Sequence, residues 1–231
     1  MGSTRLPGKV LLPIHGRPLL DRLLDRLELV ASPHTTIVAT TTLREDDNIE
    51  RLCSARGVSV FRGSADDVLD RYQGAAAHCG ATQVARVTGD CPIIDPRIVD
   101  RVIELFRTGC DYASNTLERT FPRGLDVEVF TRRALDEAAA EAREPYEREH
   151  VTPFLYRRPE RFKLCNLANE RDEGAERWTV DTREDFELVS KIVGALESVE
   201  RFGLEDIRHL LNANPEWRQL NAHVEQKPLG G

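Results

Sequence analysis

The sequence predicts an α/β protein built on a parallel sheet with helices on both faces. Three observations point there. Short β-branched or apolar runs alternate with longer segments of helical periodicity through the first half of the chain. The helical segments carry start and stop signals, clearest where Pro96 opens one and Gly109 lies beyond its end. An apolar run closes on Thr88-Gly89-Asp90, and ligands of open α/β sheets gather at the carboxyl ends of strands.

Taken in order, residues 18–30 form a strongly amphipathic helix. Leu19, Leu20, Leu23, Leu24, Leu27 and Val30 share one face, and Asp21, Arg22, Asp25 and Arg26 hold the other. Residues 35–40 are a short β-branched strand. A helix over 45–56 stops at Gly57, and 58–61 is the next strand. A helix over 66–78 ends near Gly80. The strand 83–88 precedes the helix 96–107. The middle differs: 111–115 and 125–130 read as strands, the second with clean alternation, which places Asp126 and Glu128 on one face. A helix over 132–144, strands at 162–167 and 177–180, a helix over 184–196 and two short helical pieces complete the chain. We expect one domain over 1–225, with 111–170 as a mixed-sheet substrate or dimerisation subdomain and 226–231 as a disordered tail.

The 231 residues are 40% hydrophobic and 31% charged, as expected of a globular chain with a proper core. A net charge of −7 argues against a nucleic-acid binder, whose affinity comes from phosphate neutralisation. The opening is an exception, because Arg5, Lys9, Arg17, Arg22 and Arg26 outnumber Asp21 and Asp25. A locally basic end on an acidic chain suits a small anionic ligand. The five cysteines, Cys53, Cys79, Cys91, Cys110 and Cys165, form no CxxC pair, and scattered thiols fit a reducing cytosol. No run approaches the ~20 apolar residues of a membrane span.

The chemistry begins at Gly2-Ser3-Thr4-Arg5-Leu6-Pro7-Gly8-Lys9. Two glycines, two hydroxyls, a guanidinium and an ammonium make the composition of an anion cradle. It is not a Walker A loop: five residues separate Gly2 from Gly8 where that motif has four, and Val10 follows Lys9 in place of Ser or Thr. The bland alternative is a solvated basic segment. Asp90 ends a strand and could hold Mg²⁺, which takes one or two carboxylates plus phosphate oxygens, or it could cap the segment opening at Pro92. Asp181 ends the run Arg177-Trp178-Thr179-Val180 and carries the same two readings, since Asp181-Thr182-Arg183-Glu184 resembles a capping box. Arg148, Glu149 and His150 sit in a dense charged cluster that could grip a polar substrate or simply open a helix. Asp126 and Glu128 could bond sugar hydroxyls or form a strand's wet side. His15, His34 and His78 are assigned no catalytic role.

Five stretches in order carry a resemblance: Gly2-Ser3-Thr4-Arg5-Leu6-Pro7-Gly8-Lys9, Thr88-Gly89-Asp90-Cys91-Pro92, Phe121-Pro122-x-Gly124-Leu125-Asp126-Val127-Glu128-Val129, Arg148-Glu149-His150-Val151-Thr152-Pro153, and Arg177-Trp178-Thr179-Val180-Asp181. Together they resemble the cytidylyltransferases of surface-polysaccharide synthesis, of the spore coat polysaccharide F type, with the sialic acid and KDO activating enzymes as more distant relatives. The resemblance implies a Rossmann-like nucleotide-diphospho-sugar transferase fold with a mixed, mostly parallel sheet. It implies CTP as donor, a sugar acceptor, Mg²⁺ and a homodimer. It puts Arg5 and Lys9 on phosphate-binding positions, Asp90 and Asp181 on metal-binding ones, and Arg62, Gly63, Ser64 and Asp67 near the nucleotide. Relatives usually begin with an apolar central strand and Gln-Ala-Arg ahead of the Met-Gly-Ser-Thr stretch, so the expectation is that Met1 is an internal methionine and that a first central strand is lacking. Arg123 stands where an Asp is common.

The expected reaction is attack of a sugar hydroxyl on the α-phosphorus of CTP with loss of pyrophosphate, with Lys9, Arg5 and Asp90 as the catalytic groups. Two alternatives stay open. A glycosyltransferase using a preformed nucleotide sugar is disfavoured, because Asp90 is followed by Cys91-Pro92 and not by a second Asp in an Asp-x-Asp pattern. A truncated, inactive binding protein is the other.

Overall fold

The structure is a computed structural model and describes residues 5–199 and 201–227. Gly2, Ser3 and Thr4 of the expected phosphate loop, and residues 228–231 of the expected disordered tail, lie outside the described residues, while Gln226 of that tail is placed and accepts from Arg177 Nη1 at 2.7 Å.

After a 3-10 turn at Lys9–Leu11, a small antiparallel hairpin pairs β1 (Pro13–Ile14) with β2 (Arg17–Pro18) and leads into α1 (Leu19–Glu28). A parallel pair follows, β3 (Ile37–Thr41) and β4 (Ser59–Gly63), joined through α2 (Asp47–Ala55). Next come α3 (Val68–His78), β5 (Gln83–Arg86), α4 (Pro96–Arg107), β6 (Tyr112–Ser114) and β7 (Glu128–Thr131). The second half adds α5 (Arg132–Glu141), α6 (Pro145–His150), α7 (Pro153–Tyr156), β8 (Leu164–Asn166), α8 (Arg183–Leu196) and α9 (Leu204–Ala213).

The larger sheet has the order β5-β7-β6-β8. β7 is antiparallel to both its neighbours and β6 is parallel to β8, so β7 alone runs against the other three. Among the described residues β3 pairs with β4 alone and β5 with β7 alone, so no ladder joins the two sheets. A cavity of about 310 Å³ lies beside β3, lined by Val10, Leu20, Val38, Thr40, Ile49 and Gly89.

Strand alternation separates two cores. Ala113 and Val129 face a cluster with α1, α4 and α8, which contribute Leu23, Leu24, Val102, Phe106, Val189 and Ile192. Tyr112 and Phe130, one residue along, face a second cluster with Leu135, Ala138, Phe154 and Phe162. Helices therefore cover both faces, as the alternating pattern predicts.

Four expectations are corrected. Residues 177–180 are not a strand: Arg177 makes a single parallel bridge to Arg123, Trp178 N–H donates to the Arg123 carbonyl, and Val180 N–H donates to the Asp90 carbonyl. The segment is shared between two neighbours and builds no ladder with either. The strand expected over 125–130 starts only at Glu128, which leaves Asp126 in the preceding loop. Cys110 and Cys165 are joined in a disulfide across 55 residues, where separate thiols were expected. Cys165 lies in β8 and Cys110 just ahead of its parallel partner β6, a tertiary pairing that no sequence spacing shows. The capping box ahead of α8 is formed by Thr182 and Asp185, not by Asp181.

The turn before β7 has one tight point. Gly124 has φ +101°, and a Cβ there would meet the Trp178 carbonyl carbon at 2.5 Å and the Thr179 nitrogen at 2.6 Å. Both the conformation and the contact demand glycine. Gly124→Ala should lower the unfolding free energy in urea by about 2–4 kcal/mol. Gly57→Ala, at φ +68° with open space around it, should cost no more than about 1–2 kcal/mol; equal effects would refute the steric account.

Candidate active site

Three segments distant in sequence converge on one ammonium. Lys9 opens its 3-10 turn behind Gly8, whose φ of 68° lets the chain reverse there. Its Nζ donates to Asp90 Oδ2 at 2.7 Å and to Asp181 Oδ1 at 2.7 Å. The two carboxylates are thus no farther apart than twice that distance. Arg5 Nη2 lies 3.0 Å from Asp181 Oδ2, so the basic N-terminal turn faces both acids.

Each carboxylate is free for this role because another residue does the local capping. The helix after Asp90 starts at Pro96, and Asp95 is its N-cap, accepting from Arg97 N–H at 2.9 Å. Asp90 Oδ1 accepts from the Thr88 hydroxyl at 2.5 Å, which orients it. Ahead of α8, Thr182 and the fully buried Asp185 form the capping box. Asp185 also accepts from the Asp181 backbone N–H at 3.0 Å and from Arg177 Nε at 2.9 Å. Arg177 in turn donates to Asp181 Oδ2 at 2.6 Å. Arg177 and Asp185 are thus positioning residues, and neither was a sequence candidate; the available signal was their spacing, four residues before and four after Asp181.

The electrostatics are tight. Burial works to lower the Lys9 pKa, but the charges and hydrogen bonds of Asp90 and Asp181 outweigh it and the net direction is upward. Burial likewise works to raise the Asp181 pKa, and Lys9 and Arg177 reverse it to a net lowering. Cys91, beside Asp90, is a buried thiol whose pKa burial pushes well up, so it is no nucleophile.

The other sequence candidates fall into separate groups. Arg62, at the end of β4, donates to the Thr41 carbonyl at 2.9 Å and pairs with Glu50 and Asp47 of α2 at 2.7 Å each. Gly63 packs against Phe61 and Arg71. Ser64 Oγ accepts from Asp67 N–H at 3.1 Å, and Asp67 is the N-cap of α3. Arg148 Nε donates to Asp67 Oδ2 at 2.7 Å, which ties α6 to the start of α3 and brings together residues read as nucleotide-side and substrate-side. Glu149 is exposed and His150 half-buried at the end of α6. Asp126 is held by both arms of Arg119, at 2.7 and 2.9 Å. Glu128 is corrected: it is neither on a wet face nor open to a sugar. It is buried, accepts from Tyr112 Oη at 2.7 Å and Thr152 Oγ1 at 2.5 Å, and pairs with Arg86.

A model of the cytidylyltransferase family matches residues 1–228. The chain belongs to the cytidylyltransferase family. It is 40% identical over 235 residues to an uncharacterised protein of Methanocaldococcus jannaschii, covering 98% of this chain and 93% of that one. It is 34% identical to the spore coat polysaccharide biosynthesis protein SpsF of Bacillus subtilis, covering 94% of this chain and 92% of the relative. A solved cytidylyltransferase from Leptospira borgpetersenii superimposes with a TM-score of 0.91 at 37% identity, covering 99% of this chain and 95% of that one. The fold is thus the Rossmann-like nucleotide-diphospho-sugar transferase fold, and the enzyme class is nucleotidyltransferase, as the motif order implied.

Lys9→Met leaves two carboxylates facing each other without their shared cation. With Lys9, Asp90 and Asp181 side chains 12%, 21% and 17% exposed, the cost falls between a surface and a buried pair, about 1–3 kcal/mol at pH 7. The sign follows from the lowered Asp181 pKa: its stabilisation is complete above the unfolded value of 3.8 and is lost as pH falls through the lower folded value. The gap between Lys9→Met and the unsubstituted protein in urea unfolding should therefore be constant from pH 7 to 5 and shrink below pH 3.8. A gap that widens in acid would overturn this account.

Proposed function

We propose that this cytidylyltransferase moves CMP from CTP to a hydroxyl of a sugar acceptor and releases pyrophosphate, making a CMP-sugar for surface-polysaccharide synthesis. The observation that carries the reading is the ammonium of Lys9 held at 2.7 Å from both Asp90 and Asp181. Family membership supports CTP as donor, and the similarity to the Bacillus subtilis spore coat protein supports a polysaccharide setting.

In the reaction the acceptor oxygen bonds to the α-phosphorus as the bond to the bridging oxygen of the β-phosphate breaks. Pyrophosphate departs with that electron pair, and the acceptor's proton passes to water. Negative charge gathers on the α-phosphoryl and bridging oxygens. Arg5 and Lys9 offer preorganised positive charge to them, and Thr88 and Arg177 hold the two aspartates in place. Arg62, Gly63, Ser64 and Asp67 stay in the proposal as a nucleotide-side wall, since Arg62 and Gly63 end a parallel strand where such folds receive ligands. Asp126, Arg148, Glu149 and His150 stay in it as the acceptor side. A homodimer belongs to the same proposal on the resemblance alone.

The residues present fit a divalent ion. A cation already sits between two oxygen donors of separate segments, and two carboxylates with phosphate oxygens and water are what Mg²⁺ takes. Among the described residues no group of three or more His, Cys, Asp or Glu forms an all-protein cage, which suits Mg²⁺ better than Zn²⁺. Asp90 and Asp181 would hold the ion, which when bound supplies charge neutralisation at the phosphate oxygens.

Asp90→Asn keeps the shape of the side chain and removes its charge. Pyrophosphate release from CTP with a panel of sugars should fall by about 10²–10³-fold, and the Mg²⁺ dependence of CTP binding in calorimetry should weaken. Turnover within threefold of the unsubstituted enzyme sinks the assignment.

A further inference from the structure

We propose that the Lys9 ammonium is a resident competitor of the divalent ion, so that ion and nucleotide enter as a coupled pair and neither fills its place well alone. This deepens the nucleotidyl-transfer reading and rests on it for Asp90 and Asp181 as the ion's ligands.

The competition follows from how the four carboxylate oxygens are used. Asp90 Oδ1 accepts from the Thr88 hydroxyl at 2.5 Å. Asp181 Oδ2 is taken twice, by Arg177 Nη2 at 2.6 Å and by Arg5 Nη2 at 3.0 Å. The remaining two, Asp90 Oδ2 and Asp181 Oδ1, both accept from Lys9 Nζ at 2.7 Å. They are the pair through which one ion can join the two acids without stripping Thr88 or the arginines. Mg²⁺ binds oxygen at about 2.1 Å, so an ion on either of them lies within about 4.8 Å of an unmoved Nζ. Two like charges, one of them double, repel strongly at that range where little water screens them, and the Lys9 side chain is only 12% exposed. Ion and ammonium therefore exclude each other.

Lys9 is also the group that can leave. Among the described residues its Nζ is bonded to these two carboxylates alone. A flexible four-carbon stem lets the ammonium swing while its backbone stays. Arg177 cannot follow, because Asp185 and Gln226 hold it as well. An entering phosphate gives the ammonium new oxygens and frees the two it held. The ion alone must expel Lys9 from a double ion pair with no anion to receive it. The nucleotide alone must draw Lys9 away from two carboxylates that then face each other bare. Each ligand removes the obstacle to the other, and such coupling is reciprocal by linkage.

The test titrates the full chain with Mn²⁺ in place of Mg²⁺ and follows loss of the free-ion EPR signal, with no acceptor present. Without nucleotide, Lys9→Met should bind Mn²⁺ at least about tenfold more tightly than the unsubstituted chain. The double variant Lys9→Met/Asp90→Asn should lose that gain, which locates it at this site. Saturating CMP, itself a weak chelator, should tighten Mn²⁺ binding to the unsubstituted chain at least about fivefold, and should do so less in Lys9→Met. A second measurement needs no substitution in the protein observed. Lys9 is one of four lysines, with Lys163, Lys191 and Lys227, and its ε-methylene NMR signal should shift when Mg²⁺ and CMP are added together and far less with Mg²⁺ alone. Mn²⁺ affinity unchanged or lowered by Lys9→Met, a gain that survives Asp90→Asn, or equal coupling with and without Lys9 overturns the proposal. Ion binding indifferent to Asp90→Asn, with and without CMP, strikes the ligand assignment itself and takes the proposal with it.

Discussion

The site depends on one shared ion pair, the Lys9 ammonium lodged between Asp90 and Asp181. It joins the N-terminal turn, the loop after β5 and the turn before α8, none of which is held there by a strand ladder. Around it stand three cations, Arg5, Lys9 and Arg177, and three carboxylates, Asp90, Asp181 and Asp185. Such a cluster is neutral as it stands, so partly burying it is tolerable. A phosphate ligand brings negative charge to the cations and a divalent ion brings positive charge to the acids. Binding both together exchanges partners without leaving any charge bare. Groups that are already aimed need little reorganisation, and that is the physical basis of their use in charge-stabilising catalysis.

What frees the acids is the second tier. Asp185 carries five demands at once: the α8 cap, two arms of Arg177, the Asp181 N–H and the Asn221 amide. A fully buried carboxylate is stable only when so well satisfied. Its work leaves Asp181 nothing to cap, and the aspartate turns outward to Lys9. The buried Glu128 plays a comparable part elsewhere. By joining Tyr112, Thr152 and Arg86 it fixes β7 to β6, to β5 and to the turn before α7, and so sets the loop that carries Asp126 and Arg123.

Local signals were legible and pairings were not. The helix over 96–107 is observed with the bounds its Pro and Gly imply, and α8 starts one residue early. Both rest on capping chemistry written within a few residues. The run at 177–180 misled because its apolar alternation is real and Trp178 and Val180 are buried in one core, yet their N–H groups go to two different neighbours, Arg123 and Asp90. Glu128 misled because strand periodicity tells which residues share a face but not whether helices cover it. The disulfide of Cys110 with Cys165 and the role of Arg177 depend on tertiary register, which composition does not encode. Asp90 was legible because it follows a strand, β5, where such sheets gather ligands, whereas Lys9 and Asp181 were legible through residue type and motif order.

The distribution of charge follows the same logic. The chain as a whole carries −7, and a uniform field of that sign repels nucleotides and anionic sugars alike. Screening limits such a field to about 8–10 Å in physiological salt. Inside the site the nearest charges decide, and there Arg5, Lys9 and Arg177 meet Asp90, Asp181 and Asp185, so the site does not share the negative balance of the chain. An acidic surface disfavours a polyanion, which must lie along the outside, while a small anion that enters meets cations already aimed. Admission of a small anion thus follows from where Arg5, Lys9 and Arg177 are placed and not from the charge of the whole chain.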